Sequence, residues 1–267
     1  MIHAHRQGKG RGRLLLHGIN ADSHCWDAVL AKCRPGWRCL AVDLPGHGRS
    51  APLPPHHRFE DYADRLAEWL DEQSKNGEPE KWQVVGHSLG GMVAVDLADR
   101  HAHRVDSLVL LAPAGIDHPW YHRDLSRIPM QPWLRRLILW LASTRPVGRR
   151  LFQGAVFEFE SLAAEDIRRL QQSFRRARSV LQLRKFYQYP GFLDALQRWV
   201  QTGGTVDLIW GREDRVVPCE DAEKIRERIP TARLFLLERC GHLPMIEQPD
   251  ELSRILDLLQ NSDSAEE

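Results

Sequence analysis

The chain has 267 residues, 42% of them apolar and 27% charged, a size and composition that fit one globular domain with a modest insertion and exclude a wholly disordered chain. Lys and Arg number 37 against 36 Asp and Glu, so the net charge of +1 offers no overall field for nucleic acid or an anionic membrane. Five scattered cysteines (Cys25, Cys33, Cys39, Cys219 and Cys240), with no C-x-x-C pair among them, read as reduced thiols and point to a cytoplasmic protein.

From the N-terminus onward, short apolar runs alternate with stretches of helical period. Strands are predicted at 2–6, 13–16, 38–42, 82–85, 107–111, 205–210 and 232–237. The first apolar run, Leu14-Leu15-Leu16, is too short for a secretion signal. No stretch reaches the roughly 18 apolar residues of a transmembrane segment. Phe59, Tyr62, Leu66, Trp69 and Leu70 make a helical stripe that Gly77 and Pro79 end. Helices are also expected after residue 91 and from about Pro249. The alternation implies an α/β fold with a mostly parallel, doubly wound sheet. It breaks at 118–201, where the chain turns helical, aromatic and Arg-rich, and this segment reads as an inserted helical cap. The core then comprises 1–117 and 202–260, and the acidic tail 261–267 is expected to fray. Residues 119–190 hold 14 Arg and Lys against 5 Asp and Glu, a net of +9 that leaves −8 for the remainder.

Gly86-His87-Ser88-Leu89-Gly90-Gly91 follows one predicted strand and precedes a helix. A serine on such a sharp turn needs glycine two residues to either side so that the neighbouring chains can approach. Its hydroxyl needs a base, and His242 follows the last strand in Cys240-Gly241-His242-Leu243-Pro244, at the sheet edge where open α/β folds gather their sites. The imidazole needs a carboxylate in turn. Asp214, in Gly211-Arg212-Glu213-Asp214 after another strand, fits best, with Asp117, Glu213 and Asp207 as rivals. The backbone N–H of Leu89 and that of Ile19, with Asn20 as the alternative to Ile19 in the turn His17-Gly18-Ile19-Asn20, are the expected oxyanion-hole donors. Asn20, His87, Trp133, Trp140 and Val216 are expected to contact substrate. His3-Ala4-His5 and His101-Ala102-His103 are bare pairs without a third ligand in sequence, so no metal or other cofactor is expected.

Four segments in this order, LLLHG, VDLPGHGRS, GHSLGG and GREDRVVP with GHLPMIEQP, together resemble the small capped serine enzymes of the α/β-hydrolase superfamily over nearly the whole chain. The resemblance implies the triad order Ser, Asp, His and a structural role for the loop 43–50. With the His-Gly turn reached by residue 18, the family's usual first edge strand is expected to be missing. Haloalkane dehalogenases and epoxide hydrolases resemble the fold but carry aspartate at the elbow, so Ser88 directs the reading elsewhere. The chain also resembles meta-cleavage-product hydrolases, which cleave a carbon–carbon bond. It lacks their Gly-rich turn after His-Gly and has Leu243 where they carry an aromatic residue. A carboxylesterase acting through an acyl-enzyme on a small-molecule ester therefore ranks first. A carbon–carbon hydrolase, a methyl esterase or thioesterase acting on carrier-bound acyl groups, and a non-catalytic ligand receptor remain open. Aromatic residues of the cap predict an apolar acyl pocket. Its arginines form either a solvated face or a seat for an anionic substrate or acidic acyl carrier protein, as in the pimeloyl-carrier methyl esterases that this arrangement resembles.

Overall fold

Alternating apolar side chains divide between two faces of a single seven-stranded sheet. The computed structural model describes residues 1–54, 56–116, 150, 153–176 and 191–261. Its strands are β1 (Ala4–Gly8), β2 (Gly10–Leu16), β3 (Gly36–Val42), β4 (Trp82–His87), β5 (Val105–Leu111), β6 (Val206–Gly211) and β7 (Arg233–Leu237), one for each run expected from sequence. Their order is β1-β3-β2-β4-β5-β6-β7. Among the described residues only the edge strand β1 is antiparallel, pairing Ala4 with Val42 of β3; the other pairings are parallel.

The helices are α1 (Asp27–Leu30), α2 (Asp61–Lys75), α3 (Leu89–Arg100), α4 (Ala164–Arg176), α5 (Phe192–Gln201), α6 (Asp221–Arg228), α7 (Pro244–Glu247) and α8 (Pro249–Asn261). Leu14, Leu16, Val84, Leu108, Leu110 and Leu208 point to one face, where they meet buried residues of α2, α3, α5 and α6. Leu15, Val85, Val109, Leu111 and Ile209 point to the other, where Trp26, Val29 and the Leu252, Ile255, Leu256 and Leu259 stripe of α8 cover them. Covered on both sides, β4 and β6 are buried along their whole length and are mainly apolar, with Gln83 bonded to Arg13 and Asp207 paired with Arg233. Each fully buried Leu or Val contributes about 1.5–3 kcal/mol of transfer free energy.

The helix predicted from the 59–70 stripe runs from Asp61 to Lys75 and ends just before Gly77, where the sequence places its stop. One boundary differs from expectation. The segment from Phe192, expected within the inserted cap, packs with the sheet: Phe192, Ala195, Leu196 and Trp199 are buried in the same cluster as α3. Trp120, Trp133, Trp140 and most of 118–190 lie outside the described residues, as does the rival acid Asp117. All five cysteines are free thiols. Among the described residues no helix is long and apolar enough to cross a membrane.

Chain order sets the place of the site. After β2 the chain crosses to β3 on one side, and the next parallel strand, β4, returns on the other. The carboxyl ends of β2 and β4 therefore flank the crevice at which such a sheet binds ligands.

Candidate active site

Ser88 sits between β4 and α3 with φ 52° and ψ −115°, a left-handed conformation that costs a side-chain-bearing residue energy and is held only by its surroundings. The Ser88 N–H donates to the Leu111 carbonyl at the end of β5 (3.0 Å), and its carbonyl accepts from Gly91 (3.0 Å) and Ala114 (3.1 Å). Glycine is obligatory on both sides. A Cβ on Gly86 would stand 2.5 Å from the Gly90 carbonyl oxygen, and one on Gly90 would stand 2.5 Å from that of Leu16. α3 starts at Leu89, so the Leu89 N–H heads the helix without an intrahelical acceptor and with the positive end of the helix dipole.

The turn after β2 lies against the elbow. A Cβ on Gly18 would be 3.2 Å from Ser88 Cβ and 2.8 Å from His87 Nδ1. His17 fixes this turn: its Nε2 accepts from the Leu44 N–H (3.0 Å), which leaves Nδ1–H to donate to the Gly18 carbonyl (2.7 Å). Full burial pushes the imidazole below its ordinary range, so the neutral ring that this pattern demands is the favoured one. Ile19 follows, half-buried against the core, and Asn20 adopts φ 57°. The loop after β3 braces the same turn. Asp43 accepts from Ser23 N–H (2.7 Å) and Arg49 N–H (2.8 Å), and Gly48 leaves no room for a Cβ beside its carboxylate. Burial works to raise the Asp43 pKa, but these amides outweigh it and hold it below the usual range.

Of the candidate acids, Asp214 reaches the histidine. Its Oδ2 accepts from His242 Nδ1 at 2.7 Å, and its Oδ1 accepts from the Val216 (2.8 Å) and Val217 (2.9 Å) amides. Its rivals are otherwise engaged: Asp207 forms a two-point ion pair with Arg233, and Glu213 accepts from the Cys240 N–H. Val216, expected to contact substrate, holds the acid through its backbone and is 50% exposed as a residue.

His242 is 6% exposed and anchored through its backbone as well as its ring. Its N–H donates to the Ala155 carbonyl (2.7 Å), and its carbonyl accepts from His87 Nε2–H (2.7 Å). His87 is therefore a strut between elbow and histidine loop, 3% exposed, its ring 4.6 Å from that of His242. Burial first, and the neighbouring imidazole second, push its pKa well below the usual value, so it stays neutral. Among the described residues no hydrogen bond joins the Ser88 hydroxyl to the His242 imidazole; the link between their two loops is His87, next to the serine, which donates to the His242 carbonyl. With Nδ1–H given to Asp214, the lone pair on Nε2 is the basic one.

Glu247 was not among the expected site residues. From α7, its Oε1 accepts from Leu243 N–H (3.0 Å) and its Oε2 from Gly241 N–H (3.0 Å) and Phe157 N–H (2.7 Å), gripping both neighbours of His242. Burial pushes its pKa up, and the three amides partly offset that. The only sequence signal was a carboxylate one helical turn past Leu243 within GHLPMIEQP.

The profile of the alpha/beta hydrolase family matches residues 14–255. A pimeloyl-[acyl-carrier protein] methyl ester esterase from Nitrosomonas europaea is 30% identical, over 97% of this chain and 99% of that one. Its counterpart from Aromatoleum aromaticum is 28% identical, over 91% and 96%. Among solved structures, a thermophilic esterase from Thermogutta terrifontis superposes with a TM-score of 0.79 at 22% identity, covering 98% of this chain and 93% of that one. A meta-cleavage product hydrolase from Pseudomonas fluorescens gives 0.73 at 22%, covering 98% and 94%. With its sheet order, its glycine-bound elbow and the extent of the profile match, the chain belongs to the α/β-hydrolase family.

Proposed function

We propose that this chain is a serine hydrolase that cleaves carboxylic esters through an acyl-enzyme on Ser88. The observation that carries the reading is the 2.7 Å bond from His242 Nδ1 to Asp214, on a loop that His87 ties to the elbow. His242 Nε2 takes the Ser88 proton as the hydroxyl oxygen bonds to the ester carbonyl carbon. The carbonyl electron pair moves onto oxygen, where the Leu89 and Ile19 N–H groups receive it. Collapse breaks the bond to the alcohol oxygen, which leaves with the proton from the imidazolium. Water, deprotonated by the same imidazole, then attacks the acyl-enzyme and releases the acid and Ser88. Asp214 fixes the tautomer and stabilises the imidazolium. No step requires a metal or an organic cofactor.

The segment 118–190 serves in this reading as a cap over the serine, with Trp133 and Trp140 against the acyl chain. Its excess of arginine suits an anionic substrate end or an acyl carrier protein, in keeping with the names of the Nitrosomonas and Aromatoleum relatives. A fluorophosphonate probe tests the chemistry: labelling of the native chain, lost in Ser88→Ala and in His242→Ala, is expected, and an unlabelled native chain would leave a ligand receptor instead. Hydrolysis of a carrier-bound acyl methyl ester is expected to fall steeply between low and high salt, while that of a neutral p-nitrophenyl ester stays level.

A further inference from the structure

The two H-x-H pairs, bare in sequence, fare differently once the chain is folded. His101 and His103 acquire only Asp64 and Asp71, each beside its own arginine. His5 instead faces the 3-10 turn Ser23–Trp26 and the start of α1, which present His24 and Asp27. His24 Nδ1 lies 3.1 Å from Asp27 Oδ2, and His5 Nδ1 lies 3.5 Å from Asp27 Oδ1. The two rings stand 4.3 Å apart, edge to face. One donor atom from each of the three residues falls within 4.8 Å of the others, and among the described residues no other group of three or more does so. In a tetrahedral zinc site with bonds of 2.0–2.1 Å, donors are about 3.3 Å apart. The 3.1 and 3.5 Å separations, one to each oxygen of Asp27, bracket that value, and rotation of the carboxylate and of rings that are 25–32% exposed closes the rest.

We propose that His5, His24 and Asp27 bind a divalent first-row transition ion of the zinc type, outside the hydrolytic site. Two imidazole nitrogens and one carboxylate are the donor set that suits such ions and not magnesium or calcium, and solvent supplies the remaining position. On binding, the imidazoles present Nδ1 lone pairs as Nε2–H tautomers, and the ion replaces the Nδ1 protons otherwise turned toward Asp27. Arg169 of α4 occupies the same carboxylate, 2.9 Å from Asp27 Oδ2, and is itself shared with Glu165. Ion and guanidinium therefore compete for Asp27. Occupancy releases this tether of α4 and ties edge strand β1 to the turn that follows the His17–Asn20 segment.

The test is calorimetric titration of the full-length, tag-free chain with zinc chloride in a non-chelating buffer, with cobalt absorption to report tetrahedral coordination. The expected result is about one ion per chain, an affinity at least about tenfold weaker in His5→Ala and in His24→Ala, and a thermal shift that saturates with zinc. Arg169→Ala lies outside the donor set and leaves the histidines in place. It is expected to tighten binding about two- to fivefold, the scale of a half-exposed ion pair. No binding by the native chain, or native affinity in both histidine variants, overturns the site. Unchanged affinity in Arg169→Ala overturns the competition.

Discussion

The two sides of the crevice are held by different forces. At the elbow itself, Gly86 and Gly90 let backbone pack on backbone at distances that no Cβ permits, and the atoms that exclude a Cβ at these two positions all belong to backbone. On the histidine side, carboxylates do the holding: Asp214 and Glu247 together accept from five amides in addition to the His242 ring. Steric fixation is rigid and insensitive to pH. Fixation by buried carboxylates aims a side chain more finely, yet answers to protonation and to the loss of a single acceptor.

The contrast is sharpest at Asp214. Asp214→Asn keeps a carbonyl oxygen for Val216 and Val217 but turns an amide donor toward Nδ1, forcing the imidazole into the wrong tautomer. Ester kcat is expected to fall on the order of 10⁴-fold with the fluorophosphonate-reactive serine still present. A loss under about tenfold would remove Asp214 from the mechanism. On the opposite side, Gly90→Ala is expected to destabilise the fold itself. The Leu16 and His17 carbonyls that the new methyl would meet, at 2.5 and 2.7 Å, are backbone and cannot move aside. Urea unfolding should lose about 3 kcal/mol, at the upper end for overpacking. Near-native stability would show that the elbow is looser than its contacts indicate.

The elbow side was the more legible of the two in sequence. Glycines around a serine are local, and their reason, a close approach of chains, follows from residue type alone. The central strands were equally open to reading because burial on both faces leaves a mainly apolar run, as in β5, whereas the edge strand β1 is exposed along most of its length. The histidine side was read only in part. Asp214 and His242 each follow a strand, but Glu247 acts on residues four and six positions away and on Phe157, which lies 90 residues earlier in the chain. His87 was read as a substrate contact, yet its reach to the His242 carbonyl depends on how β4 and the loop after β7 converge. Phe192, Ala195, Leu196 and Trp199 of α5 fell within the stretch that its helical, aromatic and Arg-rich character assigned to the cap. The His5, His24 and Asp27 cluster was beyond reach, because its donors meet only when β1 pairs with β3 at the edge.

Glu247 gives the next smaller effect. In Glu247→Gln one oxygen becomes an amide donor that faces either Leu243 N–H or the Gly241 and Phe157 N–H pair, whichever way the group turns. Leaving such amides unmatched costs about 1–3 kcal/mol. Urea midpoints should fall accordingly, with ester kcat reduced far less than in Asp214→Asn, because the triad atoms are intact. A kcat loss as deep as that of Asp214→Asn would mean that Glu247 does more than hold the loop.

The smallest effect separates two carboxylates by sign. Burial raises the Glu247 pKa above its unfolded value, so between those two values the folded state binds more protons than the unfolded one. The stability this group contributes therefore declines as pH rises through that window. Asp43 is the opposite case, since the Arg49 and Ser23 amides hold its pKa below the unfolded value despite burial. Its contribution is complete above the unfolded pKa of about 3.9 and is lost as pH falls through the folded one. Urea midpoints of the native chain minus those of Glu247→Gln should thus drift downward with increasing pH across the carboxylate range, and those against Asp43→Asn should drift upward. Parallel curves in both comparisons would break the distinction: the histidine loop would then be fixed as insensitively to protons as the elbow, and the amides around Glu247 would have to be held by something other than its charge.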